Sequence, residues 1–212
     1  MNTKLTYSQS PWSLDDLFQG FDDPAIEATY QKLEAQVAEF EKYRSTLTSD
    51  ISEQKFMEMV KSLEAMEKLG YKIYGFAQLS FAADTQNQKA LIALARIQQF
   101  AAELSNRTLF FSLWWKGLDD ANAERLLAAS GDYRYWLEQM RNFKPYTLSE
   151  PEEKVINIKN VTGWNALNTL YDSITNRYVF HLEVDGETKE LTRGELMTYV
   201  HRPDPDLRAR AY

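Results

Sequence analysis

The chain has 212 residues, 44% of them apolar, and a net charge of −7 from 31 acidic and 24 basic side chains. That apolar share is enough to build a core, which excludes disorder as a description of the whole chain, and the acidic balance offers no counterion-release drive toward a phosphate backbone, which argues against a nucleic-acid partner. The absence of cysteine excludes disulfides, thiolate zinc sites, iron–sulfur clusters and cysteine nucleophiles.

Glycine (8) and proline (6) are scarce, which favours long helices over a many-turned β architecture. The opening residues Met1 to Tyr7 hold no apolar stretch of the kind a secretory signal needs. The densest apolar run, Leu109 to Trp115, is interrupted by Ser112 and falls far short of the ~20 residues that span a bilayer. The expectation is a soluble cytoplasmic protein with no membrane partner.

Residues 1–20 read as an extended opening segment, with a short turn near Ser13 carrying Leu14, Leu17 and Phe18. Asp22-Asp23-Pro24 is a helix start: a carboxylate to accept from orphan N–H groups, and a proline in the first turn. Ile26, Tyr30, Leu33, Val37, Phe40 and Leu47 then place one apolar stripe on a helix over 23–46. A second helix begins near Ser52 and carries Phe56, Met59, Val60, Leu63, Met66, Leu69, Ile73 and Phe76 to about Ala82. Gly70 and Gly75 lie inside it and mark a kink or a close helix contact. Asp84 or Thr85 is placed to cap the third, which runs from about Asn87 through Leu91, Leu94, Ile97, Ala101 and Leu104 to Trp115. Short connections force the three to pack as antiparallel neighbours.

After Gly117 the elements shorten. Helices are predicted from Asp119 or Asp120 to Ala129 and over 133–141, and Lys144-Pro145 breaks the chain. Ser149-Glu150-Pro151-Glu152 is a capping box. Gly163-Trp164 punctuates before a helix over 164–175. Residues 177–184 alternate as a strand into Asp185-Gly186, a favoured hairpin turn, with a return strand over 188–191. Thr192 and Glu195 form a second capping box, and Asp204-Pro205-Asp206 opens a last helix that reads as interrupted at Tyr212. The fold class is therefore mainly α: three long antiparallel helices over 1–116, then shorter helices and one β-hairpin near 177–191 within 117–212.

Candidate chemistry is sparse. His181, Glu183 and Asp185 stand at alternate positions of one strand, one imidazole with two oxygen donors, a set that suits zinc or iron. The plainer reading is a solvated strand face, with Asp185 taken by the turn. His201 sits at a helix end, where histidine commonly serves the last carbonyls. Neither belongs to His-Glu-x-x-His, and no P-loop, Gly-x-Ser-x-Gly or EF-hand loop is present. The carboxylate pairs Asp15-Asp16, Asp22-Asp23, Asp119-Asp120 and Glu152-Glu153 each fall at a helix start, where capping explains them better than acid–base catalysis. The run Phe110 to Trp115 reads as buried core rather than a ligand pocket. No catalytic, metal or cofactor-binding residue is assigned.

The segment Trp12-Ser13-Leu14-Asp15-Asp16-Leu17-Phe18, the block Leu148 to Ile156, and Gly163-Trp164-Asn165-Ala166-Leu167-Asn168-Thr169-Leu170-Tyr171 occur in the order found in oligoendopeptidase F and its relatives. The hairpin leading into Leu191-Thr192 and the Asp206 to Arg210 helix continue that order. The chain resembles the N-terminal, non-catalytic region of this family over its whole length. The resemblance implies a cytoplasmic zinc endopeptidase acting on short peptides in a channel between two lobes. Zinc would activate water there, on a His-Glu-x-x-His helix beyond the region matched. It further implies that this segment walls the channel, binds no zinc, is inactive alone, and has an oligopeptide substrate and a C-terminal catalytic lobe as partners. A stand-alone helical interaction module is the alternative.

Overall fold

The computed structural model describes residues 12–212; the first eleven residues of the predicted extended segment lie outside them. Within the described part, Leu14 accepts from the amides of Leu17 (2.8 Å) and Phe18 (3.2 Å), which closes the predicted turn. Phe18 is thereby buried, its ring edge-on to Phe76 at 5.4 Å.

Helix α1 (Pro24–Glu41) starts where the sequence places it. Asp23 accepts from the amide of Ala25 at 2.8 Å through one carboxylate oxygen and from that of Gln19 at 2.9 Å through the other. The predicted helix continues to Thr46, but its last five residues tighten into a 3₁₀ segment, Lys42–Thr46. Helix α2 (Glu53–Ala83) is capped by Ser52, whose hydroxyl accepts from Lys55 N–H at 3.2 Å. Neither internal glycine breaks it. A Cβ at Gly70 would lie 3.9 Å from Leu33, an ordinary contact with α1, and Gly75 faces open space. Helix α3 (Gln88–Gly117) is capped not by Asp84 or Thr85, as expected, but by Asn87, which accepts from Ala90 N–H at 3.2 Å; the Asp84 carboxylate is taken by the amide of Gln86 at 2.9 Å in the preceding turn.

The three long helices pack antiparallel, as expected, and the aromatic residues of the run 110–115 enter the core. Phe110, Phe111 and Trp115 are buried with Phe40 and Phe56 in one cluster, and a second cluster holds Phe18, Tyr30, Ile73, Phe76 and Phe81. Helices α4 (Asp120–Ala128) and α5 (Arg134–Asn142) fold back across the end of α3. Their Leu126, Leu127 and Leu137 join the first cluster, so one core spans residues on both sides of Gly117. The indole N–H of Trp115 donates to the Leu137 carbonyl at 2.9 Å. Arg141 of α5 donates to the carbonyls of Trp115 (2.6 Å) and Leu118 (2.9 Å), answering groups the end of α3 leaves without a donor.

Helix α6 (Glu150–Asn160) follows Ser149, whose amide donates to the Glu152 carboxylate at 2.9 Å. The predicted punctuation at Gly163-Trp164 is corrected here. The chain does not break but passes through one π-helical stretch, Val161–Asn165, directly into α7 (Ala166–Thr175). A single glycine costs a helix only about 1 kcal/mol, too little to end one flanked by good helical sequence.

Strands β1 (Phe180–Val184) and β2 (Glu187–Leu191) pair antiparallel around Asp185-Gly186, with φ of 55° and 82°. Both turn residues are left-handed, as a two-residue hairpin that matches strand twist requires. The hairpin starts at 180 rather than 177 because the amides of Arg177 and Tyr178 bond the carbonyls of Ile174 and Thr175 at 3.1 and 3.2 Å. Those amides finish α7 and are lost to a ladder. Helix α8 (Arg193–Tyr199) carries the complete predicted capping box: Glu195 N–H to the Thr192 hydroxyl at 3.3 Å, Thr192 N–H to the Glu195 carboxylate at 2.8 Å. Helix α9 (Pro205–Ala211) is capped by Asp204. Leu182, Val184, Leu191 and Ala211 form a small separate core here.

Candidate functional site

The two histidines do not come together with other ligands. In the register, His181 faces Glu190 and Glu183 faces Thr188, all on the outer face of the hairpin, while Leu182 and Val184 point inward. His181 and Glu190 are both well exposed, 4.0 Å apart at their nearest atoms. Asp185 is in the turn. His201 is exposed between α8 and α9, and the carbonyls beside it, Arg202 and Pro203, are answered by Arg208 at 2.9 and 2.8 Å. Arg208 thus ties down the turn between α8 and α9, while the Tyr199 carbonyl at the end of α8 accepts from the amide of Arg202 at 3.1 Å rather than from His201. Among the described residues no three His, Asp or Glu side chains are gathered to hold a metal ion. These residues do not fit the zinc ion that the family resemblance implies, and no chemical step is derived through it.

The carboxylate pairs divide their work. Asp23 caps α1 while Asp22 pairs with Lys89 at 2.8 Å. Asp119 accepts from Asn122 N–H at 3.0 Å while Asp120 pairs with Arg141 at 2.7 Å. Glu152 and Glu153 accept from the amides of Ser149 (2.9 Å) and Leu148 (3.0 Å). At Asp15-Asp16 the first amide is instead taken by the Ser13 hydroxyl at 3.1 Å. Hydrogen bonds from the backbone hold the Asp23 carboxyl below its ordinary range, and Asn122 does the same for Asp119. These carboxylates are kept ionised by structural partners, the opposite of what a general acid needs.

The feature that stands out is the helix formed by α6, the π stretch and α7. Its inner side is polar. Asn157 donates to Asn106 of α3 at 2.9 Å, and Asn106 donates to the Lys154 carbonyl at 3.2 Å. Glu150 pairs with Arg44, and with Lys154 at 2.7 Å, which brings its carboxyl down to about 2. Its outer side is apolar and uncovered: Val155, Ile158, Trp164, Leu167, Leu170 and Ile174 all keep between 46% and 70% of their surface exposed. No residue of α6 or α7 is buried.

The π stretch makes this surface continuous. At about 100° per residue, an unbroken α-helix would turn Leu167, Leu170 and Ile174 away from Val155 and Ile158. A π turn takes up one extra residue, which rotates α7 back by about 100° and sets all five on one face. The composition of 150–175 carried this signal, but helical spacing alone scatters it over most of the circumference. A contiguous, uncovered apolar face of this length marks a surface that packs against something.

A family model described as Oligopeptidase F matches residues 114–180, the stretch from the end of α3 through this helix to β1. No curated protein matches the chain. Among solved structures, that of oligoendopeptidase-F from Enterococcus faecium is similar, with a TM-score of 0.69 and 19% identity. The alignment covers 88% of this chain but only 36% of that one, so the chain spans about a third of the length of the protein it matches. No helix of the described residues is long and apolar enough to cross a membrane. Residues 114–180 therefore match the Oligopeptidase F family model, and the chain shares its fold, over most of its length, with about a third of oligoendopeptidase-F from Enterococcus faecium.

Proposed function

We propose that this chain is the N-terminal, non-catalytic part of a cytoplasmic zinc metalloendopeptidase that hydrolyses short peptides, and that it forms one wall of the substrate channel. Zinc and the catalytic residues belong to a further lobe, which is the partner of this segment; the oligopeptide substrate lies between them. The observation that supports the reading is the outward apolar face of α6–α7, which lies largely within the residues matched to oligopeptidase F. A buried interface with a second lobe would cover that face and account for a helix whose polar side points inward. The division into a long-helix bundle over 1–116 and a hairpin-bearing region over 117–212 is likewise a proposal about organisation: one cluster lies wholly within 1–116 and a small one within 182–211, while a third joins residues on both sides of Gly117.

The test is direct. Purified chain, titrated with zinc and offered a quenched fluorogenic peptide, is expected to hold no stoichiometric metal and to cleave nothing. Chelator-sensitive hydrolysis by the chain alone would overturn the division of labour. The same apolar face also suits a stand-alone interaction module. Reading the gene beyond the codon for Tyr212 separates the two: an in-frame His-Glu-x-x-His supports the peptidase, an immediate stop codon the module.

A further inference from the structure

The three long helices leave a cleft of about 330 Å³ along the seam between α2 and α3, floored by Leu33 and Val37 of α1. Met66, Phe100 and Leu104 supply apolar walls, and the volume falls within the range of small-molecule sites. Glu67 is the one charged side chain of this lining.

The charges near Glu67 in sequence are engaged elsewhere. Lys68 pairs with Glu64 at 2.7 Å, and Lys72 lies over the Phe18 ring at 4.4 Å. Among the described residues no ion pair reaches Glu67, and desolvation by the apolar surroundings pushes its carboxyl up from the ordinary range. Tyr71 and Tyr74 follow it by four and seven positions, on the same face of α2, and both reach the cleft with their rings partly in solvent.

Glu67 keeps its carboxylate open to solvent at the mouth of the cleft, where it can meet the charged end of a ligand whose body lies on the apolar walls. Aromatic rings beside it attract cations on their faces. A neutral apolar ligand would desolvate Glu67 further without compensation, and an anion would be repelled both by it and by the net charge of −7. We propose that this cleft binds a small organic ammonium, its apolar body against Met66, Phe100 and Leu104 and its cationic head at Glu67 between Tyr71 and Tyr74. The site is independent of the α6–α7 face and of any peptidase activity.

Benzyltrimethylammonium is the probe, titrated into chain carrying ¹³C-labelled methionine methyls. The Met66 methyl is expected to shift saturably while Met140 and Met197, outside the cleft, stay still. Glu67→Gln, at a partly exposed position that does not threaten folding, is expected to weaken binding roughly tenfold, the equivalent of about 1.4 kcal/mol. Tyr71→Ala is expected to weaken it as well. Benzyl alcohol, the same body without the charge, should bind more weakly and be indifferent to Glu67→Gln. An unmoved Met66 signal up to the solubility of the probe overturns the proposal. So does equal affinity of wild type and Glu67→Gln for the cation.

Discussion

Arg141 offers a sharp test of how the end of α3 is held. Its side chain is only 12% exposed. It donates to the carbonyls of Trp115 at 2.6 Å and Leu118 at 2.9 Å, reaches Asp120 at 2.7 Å, and lies 5.3 Å from the centre of the Trp115 ring. Replacing it by methionine keeps much of the apolar stem and removes every donor. Hydrogen bonds to a charged group are worth about 1.5–3 kcal/mol each. Two carbonyls are affected, and water entering the vacated space recovers part of the loss, so the net cost is about 3 kcal/mol. Asp120 is 94% exposed, and its pairing with Arg141 adds little. Urea unfolding followed by tryptophan fluorescence reads the difference. With a slope of ~2.5 kcal/mol/M, Arg141→Met is expected to lower the midpoint by about 1.2 M. Asp120→Ala is expected to leave it nearly in place, and Arg141→Lys to fall between, since one ammonium cannot fork to both carbonyls. If Arg141→Met shifts the midpoint no more than Asp120→Ala does, the carbonyl-capping account is wrong.

Three further outcomes follow from the same geometry. Glu150 has a folded-state carboxyl held near 2 by Arg44 and Lys154, against an ordinary 4.5. Its contribution is present above pH 4.5 and is lost as pH falls toward 2, so the melting-temperature gap between wild type and Glu150→Gln should close across that window; a gap that stays constant there sinks the assignment. Gly186 sits at φ 82°, where a β-branched residue is strained by about 1–2 kcal/mol. Gly186→Val should speed amide exchange in β1, β2 and α9 while leaving α1–α3 protected, because the hairpin has its own core; slowing or no change in the hairpin would contradict the turn assignment. Leu167→Gln with Leu170→Gln, at positions 64% and 55% exposed, should leave the melting temperature almost unchanged and reduce both dye binding and self-association of the isolated chain. A large loss of stability would mean that these leucines are already packed within the chain.

Local chemistry determined most of the elements from sequence alone. Asp23-Pro24, Ser52 and Asp119 each offer a side-chain acceptor just ahead of an apolar 3.6-residue repeat, and each begins a helix in the structure; at the third long helix Asn87 takes the cap expected of Asp84 or Thr85. Asp185-Gly186 favours a tight hairpin turn and forms one with both residues left-handed, and the Thr192–Glu195 box closes as written. The order of motifs also pointed to oligoendopeptidase F without any structure. Tertiary structure decided what depends on distant partners. Nothing local to Arg141 or Arg208 says that their guanidinium groups finish other segments, because the carbonyls they answer lie 26 and 6 residues away in the chain. Nothing local to Gly163 reveals a π turn instead of a break. The cleft at Glu67 exists only where three helices diverge. The apolar face of α6–α7 was hidden for the same reason: its residues line up only once the π turn supplies its extra rotation, and a one-dimensional pattern contains spacing but not the phase shift between two helices.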